Sequence, residues 1–333
     1  MSRTKTPKHL LRLLSDRTLL EETLLRIAPL SEPSRIFILT NAAQIDDCRA
    51  AVPAFPAENV IAEPDKRDTA PAAALATAIA RSRDPDAVCA LLPADAMIRD
   101  QAALIRQLRD AVDVASKEEA LVTISVRPTF PSTGYGYLKL GAAHSKGPLG
   151  SEIVKVEKFV EKPDIPTASA YVRSGTYGWN AGMFIWRASS FLNETRRLVP
   201  ELATFIEEFP GDHFEDYISD RFPALPKISV DYAIMEKAAG VLAVRSEFDW
   251  DDVGTWTALP SHIGLDEKGN AIRGEATLFN SRNNLVVSAD RVVALCGVDN
   301  LVIVDTPDAL LICHRDAVQD IKKLQPHLPD SVR

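Results

Sequence analysis

Five short stretches of this chain gather residue types that could handle a phosphorylated, hydroxyl-rich substrate. AVCALLPAD (87–95) carries an apolar run into Asp95, and ligands of open α/β sheets collect beyond the carboxyl ends of strands. A carboxylate there can hold a hard cation beside bound phosphates; it could equally cap a helix starting near residue 100. KFVEKPD (158–164) sets Glu161 beside Lys162. Neighbours on a strand face opposite ways, and an exposed ion pair is the plainer account. YGWNAGMFIW (177–186) places Asn180 between aromatic residues and a glycine. A buried amide must find partners; in a pocket those could be sugar hydroxyls, and a turn asparagine is the alternative. FDWDDVGTWTAL (248–259) holds three acids between Phe248 and Trp256, with Gly254 permitting close backbone approach. Acids in series are commonly just solvated. EPDKRDTAPAAALA (63–76) delivers Arg67, Asp68 and Thr69 to a helix N-terminus, a natural site for an anion or a base edge. Helix capping would also account for Asp68 and Thr69.

The elements that must position these residues follow from hydrophobic patterning. RIFILT (35–40), the AVCALL run and ALVTISV (120–126) are near-continuous apolar runs, as expected of strands buried on both faces. Between them, RTLLEETLLRIA (17–28), APAAALATAIARS (70–82) and QAALIRQLRDAVDVAS (101–116) repeat apolar residues at helical spacing. Asp68 or Thr69 is the expected N-cap of the second, with Pro71 in its first turn, and Asp100 caps the third. Strand–helix alternation predicts an α/β fold with a doubly wound, mainly parallel sheet. After about Pro260 the chain turns to short, closely spaced strands separated by NN, VDN and TPD turns. DAVQDIKKLQPHL is expected to close it as a helix. These patterns divide the chain into a larger α/β domain over 1–262 and a smaller β-rich domain over 263–333.

Composition narrows the function. With 38 basic and 46 acidic residues the net charge is -8, which argues against nucleic acid as partner. The four cysteines are widely spaced without a CxxC pair, as expected of reduced thiols in a cytoplasmic protein. No apolar stretch reaches membrane-spanning length and no signal peptide is evident.

In this order, the segments resemble the mannose-1-phosphate guanylyltransferases (GDP-mannose pyrophosphorylases) of the sugar nucleotidyltransferase superfamily, along nearly the whole chain. EPDKRDTAPAAALA is similar to the family's segment beside the guanine base, and LLPAD to its metal-binding strand end. RPTFPSTGYGYLKLG (127–141), FVEKPD, WNAGMFIW, SVDYAIMEK (229–237) and WDDVGTW follow in the family's order, and DNLVIVDTPDALLICHRDAVQDIKKL resembles its C-terminal domain.

The resemblance implies transfer of GMP from GTP to mannose 1-phosphate, giving GDP-mannose and pyrophosphate. It implies that Asp95 and Asp252 hold Mg²⁺ and that Lys162 contacts the sugar phosphate. Glu161 and Asn180 would bond mannose hydroxyls, assisted by backbone near Gly136. Arg67, Asp68 and Thr69 would lie beside the base. Lys8, in PKH, matches the lysine of the family's PKQ and would reach the phosphates. The expected partners are GTP and mannose 1-phosphate, with no nucleic acid and no membrane, and a homodimer is left open. His9 stands where the family usually has Gln, and Ala96 where it usually has His. The family's opening strand and Gly-rich phosphate loop have no counterpart before MSRTKTPKH. Such a strand would contribute five side chains at ~1.5–3 kcal/mol each, on the order of a whole domain's ~5–15 kcal/mol net stability. An N-terminally shortened form of an active enzyme, itself poorly active and less stable, is therefore expected. The rival readings are a non-catalytic sugar-nucleotide-binding homologue without its phosphate loop, and a sister nucleotidyltransferase using another base or sugar.

Overall fold

A computed structural model of the chain describes residues 7–13, 15–254, 256–289 and 291–329. MSRTKT, the stretch before PKH, lies outside them. The chain packs into two compact units. The larger comprises Arg26–Pro93 and Ile98–Trp250; the smaller comprises Met1–Leu25, Ala94–Met97 and Asp251–Arg333.

In the larger unit the apolar runs become strands. β1 (Ile38–Asn41) begins inside RIFILT, because Pro33–Arg35 form a 3-10 turn just before it. It lies parallel to β2 (Val60–Glu63), with Asn41 opposite Glu63. Six further strands follow: β3 (Val88–Leu91), β4 (Leu121–Val126), β5 (Gly136–Lys146), β6 (Glu152–Glu161), β7 (Tyr177–Arg187) and β8 (Val241–Arg245). Among the described residues they form one sheet in the order β3-β7-β4-β8-β6-β5. The β4–β8 pair is parallel, and the pairings of β5, β6 and β7 are antiparallel.

Every residue of β4 is buried, and side chains alternate between two apolar layers. Leu121 joins Trp186, Phe191 and Leu75 on one side, whereas Val122 and Ile124 join Leu104 and Leu108 on the other. α1 (Leu19–Ile27) and α2 (Ile45–Ala51) come first. α3 (Thr69–Arg83) supplies one layer, and α4 (Gln101–Lys117) and α5 (Ile165–Ser174) supply the other. The Trp186 indole N–H donates to Thr77 Oγ1 at 3.0 Å, joining β7 to α3 inside the core.

The two expected caps differ. Asp100 accepts from the Ala103 N–H at 2.9 Å and starts α4 as its spacing predicts. Asp68 occupies the N-cap position of α3 but makes no capping bond. Side-chain capping needs extended backbone at the cap, and Asp68 is left-handed, with φ 69°. The Thr69 hydroxyl instead accepts from the Val230 N–H at 2.9 Å.

The smaller unit contains the short strands expected after Pro260: β9 (Ala271–Arg273), β10 (Ala276–Phe279), β11 (Leu285–Ser288), β12 (Val293–Cys296), β13 (Leu301–Asp305) and β14 (Leu310–His314). β9, β11 and β13 stack in parallel, as do β10 and β12, and β14 closes antiparallel on β13. Buried asparagines join successive layers. Asn270 Oδ1 accepts from the backbone N–H of Asn284 at 3.0 Å, and Asn284 Oδ1 accepts from the Leu301 N–H at 2.9 Å. Asn283 and Asn300 turn corners with left-handed backbone, φ 54° and 59°, which asparagine tolerates. The closing segment is broken, not one helix: Arg315–Asp320 and Gln325–His327 are 3-10 and only Ile321–Leu324 is α-helical.

All four cysteines are free thiols. Among the described residues no helix is long and apolar enough to cross a membrane.

Candidate active site

The smaller unit brings Lys8, Asp95 and Asp252 together although the sequence separates them widely. The Lys8 ammonium lies 2.9 Å from Asp95 Oδ2 and 3.5 Å from Asp252 Oδ1, and it also donates to the Asp252 carbonyl oxygen. Lys8 follows Pro7 in a 3-10 turn, and a bridge between Met97 and Asp251 sets the two acidic segments side by side. Burial, reinforced by the charges of Asp95 and Asp251, raises the Asp252 carboxyl above its ordinary range, against the opposing pull of Lys8. His9, beside Asp95, has its ring held below its ordinary value by burial.

The three acids of FDWDDVGTW have three different fates. Asp249, in the larger unit, is bound by the N–H groups of Arg99 and Asp100, both at 3.0 Å, and by the Arg99 guanidinium. Asp251 accepts from the Val253 N–H at 2.7 Å and pairs with His262 Nε2 at 3.0 Å. Burial would raise the Asp251 carboxyl; His262 and the Val253 N–H outweigh it and hold it low. Asp252 alone of the three faces Lys8. Val253, next in the chain, is fully buried with φ 47°, an uncommon conformation for a β-branched residue. The Asp251 bond to its N–H and its packing with Trp256 and Leu259 hold it there. A Cβ on Gly254 would come within 2.6 Å of Asp252 Oδ1, so this glycine gives the carboxylate its room.

Two carboxylates sharing one ammonium suit a hard divalent cation, which takes oxygen donors and keeps sites for water and phosphate. Among the described residues no group of three or more His, Cys, Asp or Glu forms a ready cage.

The larger unit brings Gly136, Glu161, Lys162 and Asn180 together. Gly136 opens β5 opposite Glu161 at the end of β6. Glu161 is mostly buried and pairs with the exposed Lys162 ammonium at 2.8 Å. Lys162 is left-handed, φ 47°, and its N–H donates to the Tyr135 carbonyl at 3.2 Å. Asn180 Oδ1 accepts from the Gly182 N–H at 3.2 Å and lies 3.1 Å from the Thr123 hydroxyl, while Nδ2 donates to Asp231 Oδ1 at 3.0 Å.

Sequence reasoning missed Asp231, although SVDYAIMEK contains it. It also missed Glu63, at the carboxyl end of β2, which burial pushes up to about 7. Arg67 pairs with Asp65 at 2.9 Å, and its Nε is buried without a hydrogen-bond partner. Asp68 and Thr69 are exposed at the start of α3.

A family profile described as nucleotidyl transferase matches residues 1–268, and one described as the MannoseP isomerase/GMP-like beta-helix domain matches 274–328. The xanthan biosynthesis protein XanB of Xanthomonas campestris pv. campestris is 35% identical over 344 residues, covering all of this chain and 71% of that protein. A mannose-1-phosphate guanylyltransferase of Klebsiella pneumoniae is 37% identical over 347 residues, with the same coverage of 100% and 71%. Among solved structures, a mannose-1-phosphate geranyltransferase from Thermus thermophilus superposes with a TM-score of 0.87 at 32% identity, covering 98% of this chain and 93% of that one.

Proposed function

The chain belongs to the mannose-1-phosphate guanylyltransferases of the nucleotidyl transferase family, and from that premise we propose that it transfers GMP from GTP to mannose 1-phosphate. The match of the whole of this chain to relatives bearing that name carries the reading.

A phosphate oxygen of mannose 1-phosphate attacks the α-phosphorus of GTP. The bond to the bridging oxygen breaks, pyrophosphate leaves, and GDP-mannose forms without a covalent enzyme intermediate. The residues contribute positioning and charge. We assign Asp95 and Asp252 to hold a divalent cation, Mg²⁺ by their hard oxygen chemistry, with Lys8 as the fixed positive charge beside them. When bound, such a cation offsets phosphate charge and orients the α-phosphate. Lys162 supplies charge to the sugar phosphate, Glu161 accepts from sugar hydroxyls, and Asn180 donates to one. Gly136 keeps its backbone bare beside Glu161. Arg67, Asp68 and Thr69 serve the nucleotide base at the start of α3, where the positive end of the helix dipole favours electron-rich partners.

The free thiols support a cytoplasmic location. A catalytic domain over 1–262 followed by a β-rich domain over 263–333 belongs to the same proposal.

The test is pyrophosphate release by the purified chain across nucleoside triphosphates and sugar 1-phosphates with Mg²⁺. GTP with mannose 1-phosphate should be the preferred pair. Release with another pair, or with none, overturns the proposal.

A further inference from the structure

We infer that Asp231 is a positioning residue of the sugar-phosphate site that takes up a proton when the sugar phosphate binds; this rests on the reading proposed above. Asn180 has its amide oxygen committed to the Gly182 N–H, and one of its amide hydrogens committed to Asp231 Oδ1 at 3.0 Å. The remaining hydrogen is free for a ligand, and Asp231 sets its direction. Asp231 opens a π-helical turn, Asp231–Met235, a rare geometry that gathers at functional sites. The residues before it are tied to the start of α3, where the Val230 N–H donates to Thr69 Oγ1 at 2.9 Å and the Ala70 N–H to the Ile228 carbonyl at 3.0 Å. The backbone leading to Asp231 is therefore anchored to α3, and the carboxylate itself is bonded by Asn180.

Its surroundings make the proton count responsive. Glu161 and Lys162 face it from the end of β6, and neutral Asn180 faces it from β7. The neutral Thr69 hydroxyl of α3 is bonded to the adjacent Val230, and Glu236 ends the same turn, itself raised by burial and Glu161. Burial first, then the charge of Glu161, push the Asp231 carboxyl up to about 6, against its own backbone N–H, Lys162 and Asn180. A sugar phosphate brings negative charge to Lys162 and removes the compensation that Lys162 gives the two carboxylates. Asp231, already raised, answers by taking a proton from solvent. Protonated, its carbonyl oxygen still accepts from Asn180 and its hydroxyl can donate to the ligand.

Calorimetric titration of the full chain with mannose 1-phosphate, near pH 7 in two buffers of different ionisation enthalpy, counts those protons. Wild type should take up several tenths of a proton more than Asp231→Asn; the second pKa of the substrate phosphate, about 6, is common to both and cancels. Between about pH 5 and pH 8, wild-type affinity should fall relative to Asp231→Asn by about tenfold. Asp231→Ala should bind on the order of tenfold more weakly throughout, because Asn180 loses its anchor. Equal proton counts, or a flat affinity ratio between wild type and Asp231→Asn, overturns the inference. So does wild-type affinity in Asp231→Ala. If these differences appear but GTP yields no pyrophosphate, the transfer reading fails alone. Turnover with equal proton counts sinks the Asp231 role alone, and no binding by wild type sinks both.

Discussion

Gly136 and Glu161 are partners across β5 and β6, and a Cβ on Gly136 would lie 2.5 Å from Glu161 Oε2. The Glu161 carboxylate occupies the space a side chain would fill, and Asn180 Cβ closes the pocket 3.4 Å from the same point. Bareness at position 136 is thus what lets a mostly buried carboxylate turn in beside the amide.

Gly136→Ala should push that carboxylate aside. We expect about a tenfold rise in KM for mannose 1-phosphate, with the KM for GTP and the Tm nearly unchanged. Steady-state kinetics on each substrate in turn checks it.

Asp95→Asn and Asp252→Asn should each lower kcat by about 10²–10³ and weaken Mg²⁺ binding, read by metal titration. Gly254→Ala should weaken it too, by crowding Asp252. Lys8→Met removes the ammonium that opposes the raised Asp252 carboxyl. A raised carboxyl contributes stability at acid pH and loses it as pH rises through its native value. The Tm deficit of Lys8→Met should accordingly grow from pH 5 to pH 8 in thermal melts.

The Asp251–His262 pair has the opposite sign. The Asp251 carboxyl is held below its ordinary 3.8, so its contribution is present above that value and lost as pH falls through the lower native one. His262 is almost wholly buried. Asp251→Asn should cost about 1–3 kcal/mol at neutral pH, a gap that closes in denaturant unfolding below about pH 4.

Glu63 is raised to about 7 from 4.5 by burial. Its neutral form is the one the fold prefers, and stability is lost as pH rises through that value. Glu63→Gln should match wild type in Tm near pH 5 and exceed it near pH 8. Equal melts at both would refute the burial account.

Local features were legible in the sequence. The Asp100 cap of α4, the buried β4 and the β-rich close all follow from patterns within a dozen residues. The segments carrying Asp95, Asp252, Glu161 and Asn180 could be picked out by residue type and order. What escaped depends on distant contacts. Asp231 gains its character from Asn180 and Glu161, far away along the chain. His262 gains its role only through its pairing with Asp251. Asp68 takes the expected N-cap position without a capping bond, because residue type does not reveal its left-handed backbone. The sheet order and the smaller unit's assembly from three stretches of chain are likewise set by long-range pairing.

The asparagine column of the smaller unit carries a mechanical consequence. Asn284 grips Asn270 on one side and Leu301 on the other, so each rung stands only while its neighbours do. Such a stack gives way like a row of dominoes, its resistance being a sum of neighbour terms. Pulled from the β14 end, it should yield in steps of one rung, and a break at Asn284 should release everything beyond it at once.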